Sequence, residues 1–238
     1  ALANASLARA RELDDVDDRL GLHASAVIVP TAFAMAEKRG GVSGKELITG
    51  ITLGTDLACR MGLASRAAQA RKLWSLTSAY QTFGATVAAG KLLGLDEPGM
   101  SSAMAIAYSQ LAASEQGSSE GAFVVTGMLQ QGLAAKAAIS SALLAQKGIT
   151  GLKDVIARYY RSYEQGEYDP QALVADFGQK FQGVYLGVKP YACCRTAQAS
   201  VHAILDIIAE SDVKPEDVDE VTVLVNEATY DATCQPLE

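Results

Sequence analysis

The sequence predicts a mainly α fold: a large all-helical domain over residues 1–183, then the start of a smaller α+β domain over residues 184–238. Three observations carry this. Alanine dominates an apolar fraction of 49% while aromatics are few, which suits closely packed helices better than a β-sandwich. Apolar positions recur at helical spacing up to about residue 165. After Gln165 the pattern changes, and Val221, Val223 and Val225 alternate with Thr222 and Leu224 as a half-buried strand does.

The elements follow in order. Residues 1–10 are alanine-rich and helical, and lead into an acidic loop from Glu12 to Asp18. Ser25 is the candidate cap of a helix through Lys38, with Pro30 tolerated near its start or kinking it. Ser43 with Glu46 three residues on is a capping box, opening a helix to about Met61. Further helices are expected over 77–93, 101–113, 129–146 and 152–158, with Gly94 and Gly148 at C-terminal cap positions. The stretch Phe83-Gly84-Ala85 to Gly90 is lined with small residues that let helix axes approach closely. Beyond Gly183 the expected order is strand (184–188), helix (195–210), a loop holding Pro215, and strand (220–226).

Composition narrows the function. A formal net charge of −7 argues against a broad nucleic-acid surface, though not against a local cationic pocket for an anion. Cys59, Cys193, Cys194 and Cys234 show neither a disulfide framework nor zinc spacing, so no metal site is expected and a reducing cytoplasm fits best. The chain does not open as a secretory signal does, and it reads as a piece of something longer. The uncharged stretch from Leu73 to Gly90 is too rich in Ser, Thr and Gln for a membrane span.

Chemistry concentrates in two places. Lys189-Pro190-Tyr191-Ala192-Cys193-Cys194-Arg195 puts two cations beside a turn and a helix start, which suits a small carboxylate. The same residues could be surface cations at a domain junction. His23 lies on a loop just before a helix, downstream of Asp14, Asp15, Asp17 and Asp18. A histidine near carboxylates serves as an acid or base near neutral pH, or simply satisfies a local cap. The acidic run lacks the spacing and glycine of a calcium loop. Gly117-Ser118-Ser119-Glu120-Gly121 matches a nucleophile-elbow pattern, but helical residues precede it where a strand is required. No dinucleotide or P-loop glycine fingerprint is present.

In this order, Glu12-Leu13-Asp14-Asp15-Val16, Gly21-Leu22-His23-Ala24-Ser25-Ala26, Trp74 to Ser78, Phe83-Gly84-Ala85, Gly132 to Ala135, Gly148 to Gly151 and the Lys189–Arg195 motif resemble the MmgE/PrpD family. That family includes 2-methylcitrate dehydratase, cis-aconitate decarboxylase and an iminodisuccinate epimerase. The resemblance implies an all-helical domain with a partial α+β lid. It also implies a homodimer, no metal or organic cofactor, and a small carboxylic-acid substrate. By position it makes His23, Lys189, Asp14 and Asp15 the catalytic residues, and Arg195, Glu12, Tyr191, Ser75 and Gln130 substrate-binding. Departures from the family pattern are Val16 for threonine, Ser75, Gln130 and Gln198 for histidines, and Gly127 for lysine. They imply a divergent branch with a different substrate or with reduced activity. The expected reaction is dehydration by a lyase. Epimerisation, decarboxylation, or acid or partner binding without catalysis are the alternatives.

Overall fold

The computed structural model describes residues 1–66, 74–111 and 123–234. Ten α-helices, three short 3-10 turns and one short two-stranded ribbon make up the regular structure of those residues. The helices are α1 (Leu2–Arg9), α2 (Ser25–Arg39), α3 (Gly44–Ala64), α4 (Trp74–Leu93), α5 (Glu97–Tyr108), α6 (Phe123–Gln146), α7 (Val155–Tyr163), α8 (Pro170–Val174), α9 (Gln198–Glu210) and α10 (Glu227–Thr233). The fold is mainly α, as the alanine-rich pattern predicts.

Helix α4 is the centre of the packing, touching α2, α3, α5 and α6. Its buried face carries Tyr80, Phe83, Ala85, Ala88, Ala89 and Leu92. Where α3 crosses it, Gly54 and Gly84 face one another, and a Cβ built on either falls onto the other's carbonyl oxygen. Only glycine at both positions lets the two backbones approach so closely. A second apolar layer joins Ala32 and Met35 of α2 to Leu92 of α4 and Ala142 of α6.

Local chemistry explains the helix ends. The Ser43–Glu46 capping box is formed in both directions, with Glu46 N donating to Ser43 Oγ at 3.2 Å and Ser43 N donating to Glu46 Oε2 at 2.9 Å. Helix α5 starts four residues earlier than expected, because Asp96 caps it through Gly99 N and Pro98 sits in its first turn. Gly94 and Gly148 take φ of +72° and +87° at helix ends, the left-handed conformation glycine adopts without strain. Ser25 is the first residue of α2 rather than its cap. Its backbone N–H and hydroxyl both donate to the carboxylate of Asp15 instead, at 3.0 and 2.6 Å.

The expected strands need correction. Residues 182–185 form a 3-10 turn, and only Leu186–Gly187 (β2) enters a ladder, antiparallel to Val16–Asp17 (β1). Residues 220–226 form no strand. A strand needs a neighbour to satisfy its backbone, and the apolar alternation here meets none: Leu224 is 92% exposed. The helix expected from Arg195 opens with a 3-10 turn, Arg195–Ala197, before α9.

The segment entering the ribbon is anchored from α3. Buried Arg60 pairs with Asp56 at 2.7 Å and donates to the carbonyls of Ala175 and Lys180, while Asp56 accepts from Gln182 N. This fixes the path by which the chain reaches β2.

Candidate active site

The ribbon brings the two chemical regions together. Val16 pairs with Gly187 and Asp17 with Leu186. Following that register two residues back from Val16 and two forward from Gly187 sets Asp14 opposite Lys189. Pro190 stiffens the chain immediately after the lysine. The side chains meet accordingly: Lys189 Nζ lies 3.1 Å from Asp14 Oδ1 and 3.2 Å from Glu12 Oε2.

Arg9, at the C-terminal end of α1, completes the arrangement. Its guanidinium reaches Asp14 Oδ2 at 2.6 Å and Glu12 Oε1 at 3.2 Å. Arg9, Asp14, Lys189 and Glu12 thus form a closed ring of alternating charge. The side chains of Lys189 and Asp14 are sealed, with 0% and 2% exposure, whereas Glu12 keeps 28%. Glu12 also adopts φ of +53°, a left-handed conformation uncommon outside glycine.

His23 stands beside the ring. Its Nδ1 is 2.7 Å from the backbone carbonyl of Asp15 and 3.2 Å from Asp14 Oδ2. A carbonyl oxygen only accepts, so Nδ1 carries the proton and Nε2 is left with its lone pair. The backbone of His23 is held as well, because Gln81 of α4 donates to its carbonyl at 2.5 Å. The imidazole is therefore fixed in position and in tautomer.

Burial sets the charges. Desolvation, assisted by the charges of Arg9 and Lys189 and opposed by Asp14, lowers the His23 pKa to about 4, so the ring is neutral at neutral pH. Burial works against ionisation of Asp14, but the positive charges of His23, Arg9 and Lys189 outweigh it and hold the carboxyl below its ordinary value. With His23 neutral, Arg9 and Lys189 are what keep Asp14 ionised. Burial raises Asp15 despite its bonds from Ser25.

Four of the expected site residues converge here: His23, Lys189, Asp14 and Glu12. Asp15 contributes its carbonyl, while its carboxylate caps α2 rather than orienting His23. Arg195 is held by Asp18 through two 2.7 Å hydrogen bonds at the protein surface. Tyr191 turns its hydroxyl to His202 Nδ1 at 2.7 Å. Gln130 lines a cavity of about 20 Å³ with Ser78, Thr82, Gln110, Leu133 and Ala134, where its buried Nε2 has no hydrogen-bond partner. Ser75 lies in α4, but its side chain falls outside the described residues, as does Gly117–Gly121. Among the described residues, no group of three or more His, Cys, Asp or Glu side chains is arranged to hold a metal ion.

Arg9 escaped the sequence reading, and Gln198 entered it only as a departure from a family histidine. Arg9 looked like one more polar residue of a surface helix, although its spacing to Glu12 was a usable signal. Gln198 is buried and ties down the turn after Lys189: it accepts from Tyr191 N at 3.1 Å and donates to the carbonyls of Tyr191 and Cys193 at 2.7 and 3.1 Å. An amide can accept and donate at once, so this glutamine works as a clamp.

Fold and site together define a helical protein that shields a neutral imidazole and a balanced ring of charges at the foot of a two-residue ribbon. The chain belongs to the MmgE/PrpD family, whose N-terminal domain model matches residues 1–169. Among its relatives are a cis-aconitate decarboxylase-like protein from Aspergillus oryzae, 29% identical over 220 residues, and a cis-aconitate decarboxylase from Aspergillus terreus, 28% identical over 218. Each alignment takes in 86% of this chain, which spans less than half the length of the relatives, 45% and 44%.

Proposed function

We propose that this chain forms the catalytic part of a cofactor-independent lyase. It would act on a small di- or tricarboxylic acid by removing a proton from the carbon beside a carboxylate. One observation carries the reading: a buried imidazole, locked with its lone pair on Nε2, shares Asp14 with the ammonium of Lys189.

A carbon acid next to a carboxylate is weak, so it needs both a placed base and charge stabilisation. Nε2 of neutral His23 takes the proton. The electron pair moves into the adjacent carboxylate, and the extra negative charge falls to the ammonium of Lys189. Collapse of that electron pair expels a β-hydroxyl, which takes the proton from the His23 imidazolium and leaves as water. A base with a pKa of about 4 is feeble at rest. The depression comes from burial together with the fields of Arg9 and Lys189. Asp14 then stabilises the imidazolium.

Decarboxylation is the second reading, favoured by the names of the two fungal relatives. It would use the same residues, with carbon dioxide as the leaving group and a proton delivered to carbon. A homodimer, with residues 184–238 as part of a lid, belongs to this proposal through the family resemblance, and a cytoplasmic setting through the cysteine pattern. Among the described residues no helix is long and apolar enough to cross a membrane.

The test is turnover of citrate, 2-methylcitrate, cis-aconitate and aspartate-type acids, with carbon dioxide measured in parallel. Unchanged turnover in His23→Ala and Lys189→Ala variants would sink the assignment.

A further inference from the structure

We infer that Glu12 is a resident stand-in for a substrate carboxylate, and that Arg9 and Lys189 are the cation pair from which an incoming carboxylate displaces it. This deepens the lyase reading and rests on it for the class of ligand.

Arg9 and Lys189 supply two positive charges, Asp14 and Glu12 two negative ones, and His23 is neutral. The ring is therefore balanced. A further carboxylate brought beside it meets no surplus positive charge, and burial makes an uncompensated anion costly. Binding becomes favourable once one resident carboxylate leaves.

The two residents differ in how easily they can leave. Asp14 is sealed, with 2% of its side chain exposed, and is held by Arg9, Lys189 and His23 together. Glu12 reaches solvent and makes only the two longer contacts, both of 3.2 Å. Its carboxylate spans Arg9 Nη2 and Lys189 Nζ, with one oxygen on each, as a ligand carboxylate bridging two cations would. Its backbone at φ of +53° is strained for glutamate, so release of the side chain costs little and can relieve that strain. Arg9 presents a planar fork suited to a carboxylate, which a lone ammonium does not. Displacement leaves the solvent-facing edge of the ring to the ligand and keeps Asp14 in place beside His23.

The arrangement also sets selectivity. A neutral analogue cannot compete with Glu12 for the two cations, so amides and esters of the same skeleton are excluded by the glutamate itself.

Calorimetric titration of the full chain with cis-aconitate at neutral pH tests this. Glu12→Gln removes the competing charge and keeps the shape, so affinity should rise about tenfold or more. Arg9→Gln should weaken binding by at least a similar factor. A Glu12→Gln protein that binds cis-aconitate no better than the parent overturns the proposal. So does a liganded crystal structure of the parent in which Glu12 still bridges Arg9 and Lys189, a result that does not depend on how any variant folds. The outcomes are separable from those for the lyase reading. Tighter binding in Glu12→Gln without turnover of any acid defeats the lyase and leaves the stand-in. Turnover with affinity unmoved by Glu12→Gln does the reverse.

Discussion

Lys189 Nζ sits 3.1 Å from Asp14 Oδ1 across 175 residues of sequence, and a ribbon only two residue pairs long sets that distance. The pair is buried on both sides, so it bears on stability as well as on the proposed chemistry. Truncating the lysine leaves Asp14 among fewer positive charges with no access to water. Lys189→Ala should therefore lower unfolding free energy by about 3 kcal/mol and abolish turnover, as read by urea denaturation and by assay on the acid panel.

The protonation of His23 predicts a pH dependence with a definite sign. Its folded pKa of about 4 lies below the ordinary value of 6.5, so between these values the unfolded chain binds the extra proton. Stability is full above about pH 6.5 and falls as pH drops toward 4, by on the order of 3 kcal/mol. Asp14, with a lowered pKa, loses its contribution at still lower pH, whereas Asp15, raised by burial, works in the opposite direction as acid is added. Denaturation midpoints measured from pH 7.5 to 4.5 should decline in the parent. A His23→Gln protein should show a much flatter profile over the same range.

Gln198 offers a test of positioning without contact to the ring. Gln198→Ala removes the bonds that tie Tyr191 and Cys193 into the turn after Lys189. The expected loss is about 1–3 kcal/mol, with faster amide exchange confined to residues near 189–195 and reduced turnover. Equal exchange in parent and variant would show that the turn holds itself.

At the crossing of α3 and α4, Gly54→Ala should cost about 1–3 kcal/mol, because the new methyl meets the Gly84 carbonyl and the helices must separate. Thermal unfolding followed by circular dichroism would register it as a lowered midpoint. An unchanged midpoint would mean that the crossing is looser than described.

Much of the helical architecture was legible because its signals are local. The Ser43–Glu46 box, the small-residue face of α4 and the glycines at 94 and 148 each announce themselves within a few residues. Only half of the ribbon was legible: the strand expected over 184–188 contains Leu186–Gly187, whereas the two residues at 16 and 17 carry no strand pattern and lie far away along the chain. The opposite failure occurred at residues 220–226, where alternation was present and a pairing neighbour was not. His23 and Lys189 could be read from their motifs. The side-chain roles of Asp15 and Arg195 could not, because competing partners, Ser25 and Asp18, became visible only in space.

The two-pair ladder has a consequence for how the molecule is cut. A polypeptide ending at residue 169 retains the imidazole, Arg9 and both acids of the ring but forfeits the only ammonium in it. One guanidinium would then face two crowded anions, and the surplus charge would push Glu12 outward. The core helices could pack as before while the ring of charges came apart, so an intact helical spectrum from such a piece would say nothing about the state of the candidate site.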